Sequence, residues 1–128
     1  MAQGRVNAMP TAALVLLMLV IGHLDLARAA TYVVGDSTGG WTFGIVRKWP
    51  PKGMIFNAGD TLVFKYGPGH NVVRVNRAGY KSCTARKGAK VYNHGIAKIK
   101  LVKGKNYFIC SVLNHCKKFG MKIAVTAV

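Results

Sequence analysis

The chain is 128 residues long and strongly basic, with 19 Lys and Arg residues against three Asp and Glu residues and a formal net charge of +16. The two acidic residues beyond position 29 are too few to build the paired carboxylates of acid–base enzymes, and no nucleophile–base pair is recognisable. The composition therefore argues against an enzyme, and the positive charge favours polyanions or acidic proteins as partners.

Residues 1–29 have the pattern of a secretory signal peptide. Arg5 supplies the positive start, residues 12–22 form a short apolar core, and Ala-Arg-Ala at 27–29 gives the small–x–small cleavage pattern. The apolar run is too short to span a bilayer as a helix; a buried N-terminal helix is the alternative interpretation. We therefore predict a secreted protein with one mature domain, residues 30–128, that carries a net charge of +15.

The mature sequence alternates short β-prone runs with glycine-rich turns. Residues 61–66 place the larger apolar side chains at even positions and Lys65 at an odd one, as a half-buried strand requires. Residues 76–90 are polar and are predicted to hold a turn or a short helix. In chain order, the predicted strands are 31–34, 61–66, 71–75, 96–102, 107–110 and 121–125, with turns at 35–40, 57–60, 67–69 and 103–106. Strands recurring about every ten residues predict an antiparallel sandwich or barrel.

The number of cysteines is odd. Cys83, Cys110 and Cys116 all lie in the mature domain. An oxidising compartment favours one disulfide and leaves one sulfur over. That sulfur has three possible roles: pairing between molecules, a buried inert thiol, or a metal thiolate.

One predicted loop between two strands holds a cluster of residues that can bind metal. Cys110, His115 and Met121 supply a thiolate, an imidazole and a thioether, a set of soft and borderline ligands that suits copper. His70 follows a Gly-Pro-Gly break and is expected to supply the second imidazole of a trigonal type 1 copper site; capping of the turn is its alternative role. Met121 is alternatively a core residue, and Met54 has no metal-binding neighbour in the sequence.

Several motifs, in order along residues 30–128, resemble those of the phytocyanins, and among them the plantacyanins, or basic blue proteins of plants. They are YVVG at 32–35, GGW at 39–41, FNAGD at 56–60, HNV at 70–72, YFIC at 107–110 and GMKIAV at 120–125. The resemblance implies an all-β, cupredoxin-like Greek-key sandwich of seven to eight strands, with at most short helical turns. It also implies a place in the plant extracellular space, the apoplast and cell wall.

The resemblance further implies the residues of the site. It assigns one type 1 copper ion to His70, Cys110, His115 and Met121, and a disulfide to Cys83 and Cys116. Five residues separate His115 from Met121, whereas the family pattern usually has four. The extra residue is expected either to push Met121 outward or to make the loop bulge.

We expect a one-electron carrier and not an oxidase, because a single copper with four protein ligands has no open position for substrate. The exposed edge of His115, and less so that of His70, is the expected route for the electron. The expected partners are a small or protein redox partner, with anionic character, and acidic cell-wall polysaccharide. Nucleic acid, a membrane anchor and oligomerisation are not expected.

Lys117 and Lys118 either form a solvated turn or steer acidic partners. The rival hypotheses are a basic matrix or signalling protein and a copper-free scaffold.

Overall fold

The computed structural model describes residues 10–13, 15 and 28–128. Most of the predicted signal peptide, residues 1–29, lies outside the described residues. Within the described part of the chain, no helix is long and apolar enough to cross a membrane.

Seven strands form two sheets that pack face to face. The strands are β1 (Thr31–Val33), β2 (Thr61–Lys65), β3 (Val72–Val75), β4 (Val91–Tyr92), β5 (Ile96–Lys100), β6 (Gly104–Ile109) and β7 (Lys122–Ala127). One sheet has the order β1-β2-β5 and the other β4-β3-β6-β7, and only the β1–β2 pair is parallel. In residues 28–128, the helical elements are α1 (Arg77–Ser82) and two 3-10 turns, Asp36–Thr38 and Ile45–Arg47. The predicted all-β sandwich of seven to eight strands with short helical turns is confirmed.

Some boundaries differ from the sequence prediction. The strand predicted at 96–102 ends at Lys100, and β6 already begins at Gly104, inside the predicted turn 103–106. Asn106 explains this difference, because its buried side chain bonds the backbone of Val102 and Gly104 and so builds the turn from within the strand. The two-residue strand β4 was not predicted.

Aromatic side chains from both sheets form the core. Phe64 of β2 and Phe108 of β6 are fully buried with ring centroids 5.0 Å apart, so they join the two sheets directly. Trp41 meets Phe64 edge to face at 5.1 Å. Each such side chain contributes about 1.5–3 kcal/mol when it is removed from water. The sandwich is therefore a rigid support for the loops at its ends.

A second, smaller apolar cluster lies on the outer face of the four-stranded sheet, beneath α1. Its buried members are Val73, Ile109 and Cys116. The side chain of Asn76 caps α1 by accepting a hydrogen bond from the backbone N–H of Gly79 (2.8 Å). The helix ends at Ser82, and the next residue, Cys83, is its C-cap and forms the disulfide with Cys116. Packing of α1 on the sheet thus sets the position of one half of the disulfide.

Candidate metal centre

Three donor atoms from three separate segments converge at one end of the sandwich. His70 lies between β2 and β3, Cys110 directly follows β6, and His115 lies in the loop that leads to β7. Their ligand atoms all lie within 4.8 Å of one another. The Nδ1 atoms of the two histidines are 3.2 Å apart, and Cys110 Sγ is 3.6 Å from Nδ1 of His115. The structure therefore brings together three of the four residues that the sequence singled out as ligands.

The three donors differ in their access to water. Cys110 is fully buried and is the only cysteine of the described residues without a disulfide partner. The two imidazole rings are half-buried. Burial, and then the neighbouring His115, lower the pKa of His70 below its usual value. The ring is thereby biased towards its neutral form, which is the form that binds a metal.

Backbone hydrogen bonds hold Met121 beside the other donors. The N–H of Cys110 donates to the carbonyl of Met121 (3.0 Å), and the N–H of Met121 donates to the carbonyl of His115 (3.1 Å). The Met121 side chain is fully buried in the same apolar cluster as Cys110. The extra residue has therefore not pushed Met121 outward. Tight turns at the surface take up the additional length, with the N–H of Lys118 bonded to the carbonyl of Asn114 (2.8 Å).

Asn71 connects the segment of His70 to the segment of Cys110. Its Nδ2 donates to Oγ of Ser111 (2.9 Å), and the N–H of Ser111 donates back to its Oδ1 (2.8 Å). The indole N–H of Trp41 donates to the Asn71 carbonyl (2.8 Å). The role of Asn71 was not foreseen. Its signals in the sequence were its place beside a predicted ligand and its membership of the HNV motif at 70–72.

Phe43 covers the histidines and was missed by the sequence analysis. Its ring centroid lies 5.2 Å from that of His70 and 4.9 Å from that of His115, edge to face in both cases. Phe119 stacks on its other side at 4.6 Å. The N–H of Gly44 donates to the Phe119 carbonyl (2.6 Å), which ties the segment after Phe43 to the ligand loop. Phe43 therefore covers part of the surface of both imidazoles.

A disulfide joins the ligand loop to α1. Cys83 and Cys116 are bonded, with an S–S distance of 2.04 Å, as the resemblance implied. Cys116 directly follows His115, so the crosslink restrains the loop at a predicted ligand.

Met54, the other methionine considered as a ligand, lies away from the three donors, in a separate cleft with Tyr32 and Trp49.

A two-sheet sandwich that brings a buried thiol and two imidazoles together, beside a buried methionine, defines a type 1 copper protein of the cupredoxin class. The chain matches the Plastocyanin-like domain family over residues 41–121 and belongs to that family. It is a blue copper protein that carries electrons and uses one copper ion.

The chain is similar in sequence and in structure to known proteins of this class. The chain is 51% identical to chemocyanin of Lilium longiflorum over 99% of each chain, and 49% identical to a basic blue protein of Arabidopsis thaliana over the whole of both. Among solved structures, cucumber basic protein, a blue copper protein, is 55% identical with a TM-score of 0.70, over 77% of this chain and 99% of that one. Spinach plantacyanin is 52% identical with a TM-score of 0.62, over 70% and 94%. The resemblance to phytocyanins of the plantacyanin type is confirmed.

Proposed function

We propose that the chain transfers single electrons outside the cell through one copper ion held by His70, Cys110, His115 and Met121. The observation that carries this proposal is the convergence of two imidazoles and a buried thiol within 4.8 Å. Copper bound to such a set cycles between its cuprous and cupric states and so exchanges one electron at a time.

The residues around the site support this role because they hold the donors still. The paired hydrogen bonds of Asn71 and Ser111 fix the spacing between two donor segments, and the backbone bonds of Met121 fix the third. Donors that cannot move apart keep the same arrangement in both oxidation states. Electron exchange is fast when the donor atoms move little between the two oxidation states.

Met121 is proposed as the fourth residue that would hold the copper ion. Its burial beside Cys110 and its two backbone bonds to donor residues support this assignment. A thioether would bind the ion weakly, and its main effect would be on the reduction potential.

The proposed route for the electron is through the half-buried rings of His70 and His115. Around them, Phe43 is 40% exposed and Leu113 is 91% exposed, which gives a partner an apolar surface to approach. The exposed side chains of Lys117 and Lys118 lie on the same loop and favour an acidic partner. Four protein donors leave no position for a substrate, which supports a carrier and not an enzyme.

An extracellular location is proposed on two grounds. Residues 1–29 have the pattern of a secretory signal peptide. A disulfide between Cys83 and Cys116 is typical of proteins that work in an oxidising compartment.

The excess of positive charge favours a second candidate function, a basic protein of the extracellular matrix that uses the same scaffold. Replacing Cys110 by serine separates the two functions. If binding to matrix or signalling persists in Cys110→Ser, those activities do not need the redox site.

The visible spectrum of the purified protein, with Cu(II) added, tests the proposed electron-transfer function. We expect an intense thiolate-to-copper band that disappears on reduction and is absent from Cys110→Ser. Far-ultraviolet circular dichroism of the variant verifies that the sandwich is intact. A wild-type protein that stays colourless with Cu(II) in excess would refute the assignment.

A further inference from the structure

A cationic cleft lies on the outer face of the four-stranded sheet, beside α1. We call it the α1 groove. It has a volume of about 390 Å³ and is lined by Arg77, Tyr80 and Lys81 from α1, Lys105 and Tyr107 from β6, and Ala124 from β7. The three basic residues are exposed and the two tyrosines are half-buried. None of these residues belongs to the metal centre.

The rings of Tyr80 and Tyr107 form the base of the α1 groove. The ring centroids of Tyr80 and Tyr107 are 5.2 Å apart, with the planes tilted by 44°. Lys122 fixes Tyr80 in place, because its Nζ donates to the Tyr80 carbonyl (3.0 Å) and lies 4.3 Å from the centre of its ring. The groove therefore offers a firm apolar surface surrounded by positive charges.

A second cationic cleft continues the same face. It has a volume of about 350 Å³, and Arg74, Arg86 and Lys87 are among its lining residues. Val75 lines this cleft and is paired in the sheet with Tyr107 of the α1 groove, so the two clefts are neighbours. A chain-like ligand that crosses this face would meet both.

Among the residues that the structure describes, no acidic side chain lines either cleft. Of the two carboxylates in residues 28–128, Asp60 is buried and accepts hydrogen bonds from the backbone of Ala30 and Asn57. Asp36 lines a different cleft, with Tyr32. The positive charges of this face thus have no counter-charge nearby, which favours an anionic ligand.

The two clefts are separated from the metal centre by the length of β3. His70 lies two residues before the first residue of β3, and Val75 is the last residue of that strand. At about 3.3 Å per residue, the five residue steps from His70 to Val75 span at most roughly 17 Å. A ligand bound on this face would leave the rings of His70 and His115 accessible to a redox partner.

We propose that this face binds an acidic polysaccharide with a carboxylate on its sugar rings. The apolar faces of the sugar rings pack on Tyr80 and Tyr107, while Arg and Lys side chains pair with the carboxylates. A polymer with repeated rings and charges suits two adjacent clefts that share one surface. The inference concerns binding and does not depend on the redox chemistry of the copper.

Binding of the copper-loaded protein to immobilised polygalacturonate tests the inference. The triple variant Arg77→Gln/Lys81→Gln/Lys105→Gln removes three charges from the α1 groove. The control, Lys65→Gln/Lys98→Gln/Lys100→Gln, removes three exposed charges from the other sheet. We expect about tenfold weaker binding for the groove variant and less than about twofold for the control. Equal weakening in both would overturn the proposal, since net charge alone would then explain binding.

The variant Tyr107→Val removes one ring from the base of the α1 groove and replaces it with a β-branched residue, which is favourable in a strand. We expect it to weaken binding to polygalacturonate and to leave binding to inorganic polyphosphate unchanged, because polyphosphate has no ring to stack. The thiolate-to-copper band serves as the check on folding. Tighter binding to duplex DNA than to polygalacturonate, with no effect of Tyr107→Val on either, would contradict a polysaccharide site.

Discussion

Asn71 and Ser111 exchange two hydrogen bonds, and each directly follows a residue of the metal centre, His70 in one case and Cys110 in the other. This pairing holds two donor segments that come from different parts of the chain. We expect Asn71→Ala to lower the free energy of unfolding by about 1–3 kcal/mol, because the N–H of Ser111 loses its partner. Denaturant titration measures this loss. Asn93→Ala, at an exposed position, is the control, and an equal effect in both variants would contradict the argument.

Met121→Leu tests the proposal that Met121 is the fourth ligand. Leucine fills a similar volume, so the free energy of unfolding should fall by less than about 1.5 kcal/mol. Removing the thioether takes electron density away from the oxidised metal, so the reduction potential should rise while the thiolate-to-copper band persists. Voltammetry measures the potential, with Met54→Leu as the control. An unchanged potential in Met121→Leu would show that the thioether is not a ligand.

Phe43→Ala should open the rings of His70 and His115 to water. We expect a loss of about 1–2 kcal/mol in the free energy of unfolding, below the 3–5 kcal/mol of a fully buried phenylalanine, since the ring is 40% exposed. Water around the histidines favours the more highly charged oxidised state, so the reduction potential should fall. Phe43→Leu retains most of the cover and should shift the potential less. A potential that is the same in all three proteins would exclude this role for Phe43.

The double variant Cys83→Ala/Cys116→Ala removes the crosslink between α1 and the ligand loop. We expect a loss of about 2–4 kcal/mol in stability, because the disulfide restricts the unfolded chain. The rate at which a chelator removes copper should also increase, because His115 is next to Cys116. Stopped-flow measurement of the thiolate-to-copper band follows this release. Loss of stability without faster release of copper would mean that the disulfide supports the fold alone.

Lys117→Gln/Lys118→Gln tests electrostatic steering at the metal edge. The oxidation rate with ferricyanide should fall in this variant, and the rate of the wild type should decrease as ionic strength rises. Between about 0.01 and 0.1 M salt, the screening length shortens from about 30 to about 10 Å. Lys98→Gln/Lys100→Gln on β5 is the control with the same change in net charge. If both variants slow the reaction equally, the two loop lysines have no special part in steering.

Local patterns accounted for the strands and for the choice of metal-binding residues. Alternation along residues 61–66 predicts a strand because successive side chains of a strand point to opposite faces. The donor residues stand out because thiolate, imidazole and thioether share one chemistry, and the odd number of cysteines leaves one sulfur over. The spacing of His115 and Met121 fixes how long their loop is, but not its path.

Only the tertiary structure decided how the site is enclosed. Phe43 contacts His115, and Asn71 bonds Ser111, across long separations in sequence that no local pattern encodes. The two-residue strand β4 depends in the same way on its pairing with β3, which lies far from it in sequence. The sequence by itself therefore determined the donors and the alternation of the strands, since these are properties of residue type and periodicity. The packing of the two sheets determined that Phe43 covers the histidines and that Asn71 is hydrogen-bonded to Ser111.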